Sequence, residues 1–167
     1  MRFARWIAAA TFAALSFAAT ASVGEPAEAT AIIDRVVVRW TSPATGGPRK
    51  PQFVLARELA FEARVEAMAE GLGPQDRFGD KHVRAALERH ITETMLASLP
   101  VDPAPSPKQV ADSAEAARLI LEQRVDGRTR LHEAARAEGI VAEELNALLR
   151  RRARASLYLD RMVAPML

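Results

Sequence analysis

The stretch from Gly127 to Val163 constrains the rest of the chain most strongly. It reads as a short helix, a tight break and a long helix, each with an apolar stripe that something else must cover. The short helix spans residues 128–138. Gly139 follows at the place where a left-handed residue commonly ends a helix, and Ile140 is positioned to fold back onto the helix just left. Glu143 and Glu144 fall in the first turn of the next helix, where carboxylates favour the N-terminal dipole. Leu145, Leu148, Leu149, Leu159, Met162 and Val163 recur at helical spacings along it. Isolated helices of such length are marginal in water, so the earlier part of the chain has to supply the covering surfaces.

The earlier elements follow from periodicity and breakers. Residues 32–40 are rich in β-branched side chains and give the only strong strand signal; residues 52–55 form a second, shorter one. Pro43, Gly46, Gly47 and Pro48 make the stretch between them a loop. The pair is expected to form a hairpin lying against the helices, since a lone hairpin is marginal. A helix over 57–70 carries Phe61, Val65 and Met68, with Leu72 just beyond; Ala56 stands at its cap position. Asp80 is expected to cap a helix over 81–99, with Val83, Leu87, Ile91 and Met95 spaced by four. Ser106, Pro107 and Gln109 combine a cap, a proline at the first helical position and a capping-box partner. The helix they begin buries Val110, Ala114, Ala117 and Leu121 and ends near Arg124. The expected fold class is mainly α: an orthogonal-type bundle of several helices with a short N-terminal β-hairpin.

Residues 1–21 read as a secretory signal peptide, with Arg2 and Arg5 before an apolar run from Trp6 to Ala18 and a small-residue site at Ala19–Ala21. The run is short for a permanent span, so cleavage is favoured over an uncleaved membrane anchor. Residues 22–31 are small and polar and read as a flexible lead-in, leaving 32–167 as one domain. The whole chain has 23 basic and 21 acidic groups; the signal holds two arginines and no acid, so the remainder is balanced at 21 of each. A balanced chain offers no concentrated positive field for nucleic acid. With no cysteine the protein does without disulfides.

Few residues announce chemistry. His82 and His90 lie on one helix eight positions apart, about 12 Å at the usual rise, too far to share a metal whose ligands sit about 2 Å away. His90 shares the side of Val83, Leu87 and Ile91, which points to packing and to capping of polar groups; His132 stands alone. No metal and no cofactor is expected. Glu62, Glu66 and Glu70 step by four and read as a solvated face with Arg57 and Arg64 nearby, rather than as a pair for acid–base work. Arg150, Arg151, Arg152 and Arg154 read as the outer face of the long helix, with the Arg152 stem laid on the apolar stripe. They offer an acidic partner or lipid headgroup only a weaker alternative. There is no nucleophile elbow, phosphate-cradling loop or cysteine–histidine pair.

Taken in order, these elements resemble the N-terminal domain of the SurA-type periplasmic chaperones. The likeness is carried by Ile33-Asp34-Arg35-Val36-Val37, by Phe53-Val54-Leu55-Ala56-Arg57-Glu58-Leu59, and by the helix from Val83 to Leu96. Further on it is carried by Ser106 to Val110, Gly139 to Leu145, Leu148 to Arg151 and Tyr158 to Val163. The chain departs from the family at Ala56 and Val141, where polar caps are usual, and in its longer hairpin connection. No parvulin isomerase domain follows within the 167 residues. The resemblance therefore implies a periplasmic, non-catalytic, chaperone-like module without prolyl isomerase activity. Its partners would be unfolded outer-membrane or secreted polypeptides, bound between hairpin and helices through side chains not identifiable from sequence. The competing reading is a structural or adaptor subunit of a cell-envelope complex. Contact with the membrane would come only through a retained signal.

Overall fold

The computed structural model describes residues 34–166. The expected signal peptide and lead-in, and the first two residues of the expected strand, lie outside the described residues. Five helices follow a two-stranded antiparallel hairpin. Strand β1 (Val36–Trp40) pairs with β2 (Gln52–Leu55), Val38 opposite Val54 and Trp40 opposite Gln52, with a bulge between Val36 and Val38. Two short 3-10 turns, Pro43–Thr45 and Gly47–Arg49, fill the connection; Ser42 caps the first by accepting the Ala44 N–H at 3.2 Å.

The helices are α1 (Ala56–Ala69), α2 (Asp80–Ser98), α3 (Pro107–Arg124), α4 (Arg128–Ala137) and α5 (Ala142–Tyr158). Their starts differ in an instructive way. The Ser106–Gln109 capping box closes as expected: Gln109 N–H donates to Ser106 Oγ at 3.2 Å, and Ser106 N–H donates to Gln109 Oε1 at 2.9 Å. Helix α1 begins directly after β2, with the extended Leu55 at its cap and no side-chain bond there. The strand's own geometry delivers the chain in the backbone conformation a cap needs. The expectation that Asp80 caps α2 is corrected. Asp80 is the first helical residue and Gly79 the cap, because His82 reaches back and its Nδ1 accepts the Gly79 N–H at 3.0 Å.

The junction between α4 and α5 has the expected form. Gly139 has φ 67°, Ile140 N–H donates to the Ala135 carbonyl at 2.8 Å, and Gly139 N–H donates to Arg136 at 3.1 Å. Ile140 packs against the main apolar cluster. Beyond it the long helix is shorter than periodicity implied. It gives way after Tyr158 to a wider π-type turn over Leu159–Val163, where Leu159 is exposed and no residue is buried. The added residue per turn takes Leu159, Met162 and Val163 off the line of Leu145, Leu148 and Leu149.

Helix α1 is the hub. On one side Phe61, Val65 and Met68 meet Leu121 of α3 and Val125 just after it, Leu131, Ala134 and Ala135 of α4, and Leu145, Leu148 and Leu149 of α5. On another, Leu59 and Ala63 join Val54 of β2 and Ala86 of α2, with Val38, Trp40, Phe78, Val83 and Leu87 packed around them. The hairpin is thus held against helices, as an isolated two-stranded sheet requires. The deep face of α2 is His82, Ala86 and His90; the stripe of Val83, Leu87, Ile91 and Met95 is covered only in part.

Candidate functional site

Where α1, α2 and α5 meet, the interior is charged. Glu58 and Glu62 lie one turn apart on α1, and Glu62 is buried at 1% exposure. His90 and Glu93 come from α2, and Arg151 and Arg152 from α5. Arg151 donates from Nη1 to Glu58 Oε1 at 2.5 Å and from Nη2 to Glu62 Oε1, while its Nε lies 3.6 Å from Glu93. Arg152 Nε sits 3.0 Å from Glu93 Oε1. The buried imidazole of His90 points Nδ1 at Glu62 Oε1, 3.4 Å away, and at Glu58 Oε1, 3.8 Å away.

The electrostatics of the cluster follow from this packing. Burial pushes the Glu62 carboxyl towards the neutral form, but the adjacent His90 imidazole and the charges of Arg151 and Arg152 outweigh it and hold the group below the usual carboxylate range. Burial likewise works against the charge on Arg151, and Glu62, Glu58 and Glu93 overcome it, so its guanidinium is held even more firmly protonated. Glu58, Glu62 and His90 bring one ligand atom each within 4.8 Å of one another. That is a metal-like spacing, but the guanidinium of Arg151 already donates to both carboxylates and places positive charge where a cation would sit. The chemistry of the set is therefore that of a buried ion-pair network, in which one guanidinium serves three carboxylates and Glu62 Oε2, His90 Nδ1 and Arg151 Nε have no hydrogen-bond partner among the described residues.

Three further arginine clamps involve α1. Glu66 is bound by Arg89 of α2 and by Arg124 of α3, the latter at 3.0 Å. Arg57, at the start of α1, bonds Asp34 at 3.1 Å, the Gly139 carbonyl at 2.6 Å and Glu144 at 2.7 Å. Arg64 pairs with Glu138, donates to the carbonyls of Pro74 (2.7 Å) and Asp76 (3.0 Å), and lies 5.3 Å over the Phe78 ring.

Several sequence expectations are corrected here. The glutamates of α1 are not a solvated face: Glu62 is fully inside, Glu66 nearly so, and only Glu70 is open. Their partners are Arg151, Arg89 and Arg124 rather than Arg57 and Arg64, which turn to the α4–α5 junction. Of the arginine run, Arg150 and Arg154 are exposed as expected, but Arg151 and Arg152 are inside. The reason is that α5 packs against α2 as well as α3, so two of its faces are covered. His90 packs among polar groups, as its position on α2 implied. His82 is also buried, bonded to Gly79 and 3.2 Å from Glu70, where its Nε2 and Lys81 hold the Glu70 carboxyl low. His132 is exposed beside Arg128.

Glu58, Glu93 and Asp34 were not singled out from sequence. A signal did exist for the burial of Glu62 and Glu66: Leu59, Phe61, Ala63, Val65 and Ala67 leave gaps of one residue around them, too narrow for a solvated face. A carboxylate in such a gap must be paired.

Outside the network, the hairpin shows apolar side chains to solvent. Val36, Val37 and Phe53 are 50%, 39% and 51% exposed. Among the described residues β1 pairs with β2 alone, and five of the residues from Arg35 to Thr41 are exposed. Comparison of the chain with protein-family models, with curated proteins and with solved structures returns no match.

Proposed function

We propose that this chain is a non-catalytic binding module for unfolded or extended polypeptide, acting as a chaperone of the cell envelope. The observation that carries the reading is that, among the described residues, β1 pairs with β2 alone and the hairpin exposes Val36 and Val37 on β1 and Phe53 on β2. Strand addition to such an edge gives main-chain hydrogen bonds regardless of sequence, and the apolar side chains beside it add affinity without demanding one partner. The buried ionisable groups support the same reading. Glu62 is shut from solvent and held ionised by Arg151, a poor setting for proton exchange with a substrate.

The reading takes residues 1–21 as a secretory signal, places the mature protein in the periplasm and treats the helices as an orthogonal-type bundle. Its clients are unfolded outer-membrane or secreted polypeptides. The experiment is light scattering of an outer-membrane protein diluted from denaturant. Suppression of aggregation at stoichiometric amounts is expected; scattering equal to that of the client alone rules the reading out.

A second reading, a structural or adaptor subunit of an envelope complex, draws on Leu119 and Ile120. These neighbours on α3 are 53% and 60% exposed and form a fixed apolar patch on a rigid helix, as a permanent partner would use. One stoichiometric partner lost on Leu119→Ser with Ile120→Ser, with aggregation suppression absent from the wild type, would favour this reading over the first.

A further inference from the structure

A pocket of about 120 Å³ opens where β1 begins, between α1 and the α4–α5 junction. Its floor is apolar: Phe61 and Leu148 are buried and Ile140 is half-buried. Its rim carries three carboxylates, Asp34, Glu58 and Glu144. The space equals that of about four waters, enough for one aliphatic side chain and too little for an aromatic dipeptide or a nucleotide.

The rim is short of positive charge. Arg57 serves both Asp34 and Glu144. Glu58 shares Arg151 with the buried Glu62, and Arg151 also approaches Glu93. Three carboxylates thus face the pocket mouth and share two guanidiniums, Arg57 and Arg151, the second also claimed by Glu62 and Glu93, and Glu144 and Glu58 remain partly exposed. The pocket is also continuous with the open strand: Leu55, which lines it, is paired with Val36 in the hairpin.

We propose that this pocket is the anchoring subsite of the polypeptide-binding surface, and that it takes an aliphatic side chain whose neighbour in the bound segment is lysine or arginine. The proposal rests on the reading of the chain as a polypeptide-binding module and gives that module a preference. A segment lying along β1 turns adjacent side chains to opposite faces; with an aliphatic residue in the pocket, a flanking lysine or arginine reaches Glu144 or Glu58 at the rim through its long flexible stem. Apolar floor and acidic rim together select basic–aliphatic segments over acidic ones.

The test uses the purified full chain and two short fluorescent peptides in a serine–glycine background. One carries leucine flanked by lysines; in the other, glutamates replace the lysines. Anisotropy is expected to show binding of the first only, weakening as salt is raised because exposed charges are screened. Ala147 lines the pocket from an exposed position on α5, so Ala147→Trp should fill it. The expected loss of affinity is about tenfold, the size of an anchor side chain's share, with Ala147→Ser unchanged. If the tryptophan variant melts early, Ala147→Leu is the substitute and about half that effect on a logarithmic scale is expected. Equal binding of the two peptides, or full binding by the filled pocket, overturns the proposal. So does a wild-type dimer that Ala147→Trp splits, since the occupant would then be a second copy. Aggregation suppression that persists in a pocket-filled variant retaining peptide affinity would sink this subsite and leave the general polypeptide-binding reading standing.

Discussion

Two of the buried sides of α1 are built from different materials. One is an apolar interface, in which Phe61, Val65 and Met68 interdigitate with α3, α4 and α5. The other is a seam of carboxylates and guanidiniums shared with α2 and α5. An apolar interface tolerates small rearrangements as long as volume is kept. A buried ion pair does not, because removing one partner leaves the other uncompensated. The apolar side thus supplies most of the driving force, and the charged side is the one with a single permitted register.

Four measurements would break or sharpen that contrast. The largest effect is expected at Phe61→Ala, about 3–5 kcal/mol, from lost transfer energy and the cavity left in the apolar cluster. Chemical denaturation measures it; a loss below about 1 kcal/mol would mean that the cluster collapses around the gap and is not the main support. Next comes Arg151→Ala, expected to cost about 3 kcal/mol because Glu62 is left buried and unpaired. Combining Arg151→Met with Glu62→Leu should recover most of that loss, since well-packed apolar groups often replace buried ion pairs without penalty. If the double variant is as unstable as the single one, charge is needed here for more than register.

The third is a matter of acidity. The folded state holds Glu62 below its ordinary value of 4.5. The stability it contributes is therefore fully present above that value and lost as pH falls through the lower, folded-state value. The wild-type melting temperature should decline steeply below about pH 4.5. Glu62→Gln should flatten the decline and Phe61→Ala should leave its shape unchanged. Parallel profiles for wild type and Glu62→Gln would show that the acid response comes from other carboxylates, Glu70 and Glu115 among them. The smallest effect concerns the junction outside both sides: Gly139→Val should cost about 1–3 kcal/mol, because a β-branched residue is strained at the φ of 67° found there. A thermal melt equal to wild type would mean that the turn relaxes without disturbing Ile140.

What sequence made visible divides along the same line. Periodicity finds apolar residues, so the cluster on Phe61, the fold-back at Gly139–Ile140 and the Ser106–Gln109 cap were all legible. It cannot tell a solvated charge from a buried one when both recur every four residues. Glu62 and Arg151 were therefore read as surface, though each is enclosed by the other's helix. Their pairing spans 89 positions, and local patterns carry no record of which distant face will cover a residue. The termini of α2 and α5 were misread for a related reason: the His82 ring bonding Gly79, and the widened turn after Tyr158, are settled by contacts rather than propensity. The pocket beside Asp34 was not legible at all, since its lining comes from the approach to β1, the end of β2, α1, α5 and the turn before α5.

The arginine links have a temporal consequence. Arg57 waits for Glu144, 87 positions later, and Glu62 waits for Arg151. A nascent chain that has emerged only through α4 presents α1 with carboxylates that no cation can yet meet, on a helix already committed to the interior. Such a chain lacks the guanidinium for Glu58 and Glu62 and the α5 part of the apolar cluster until its last fifth arrives. Pairings so distant in sequence favour slow closure, and a stalled or shortened chain would leave α1 uncovered on both counts.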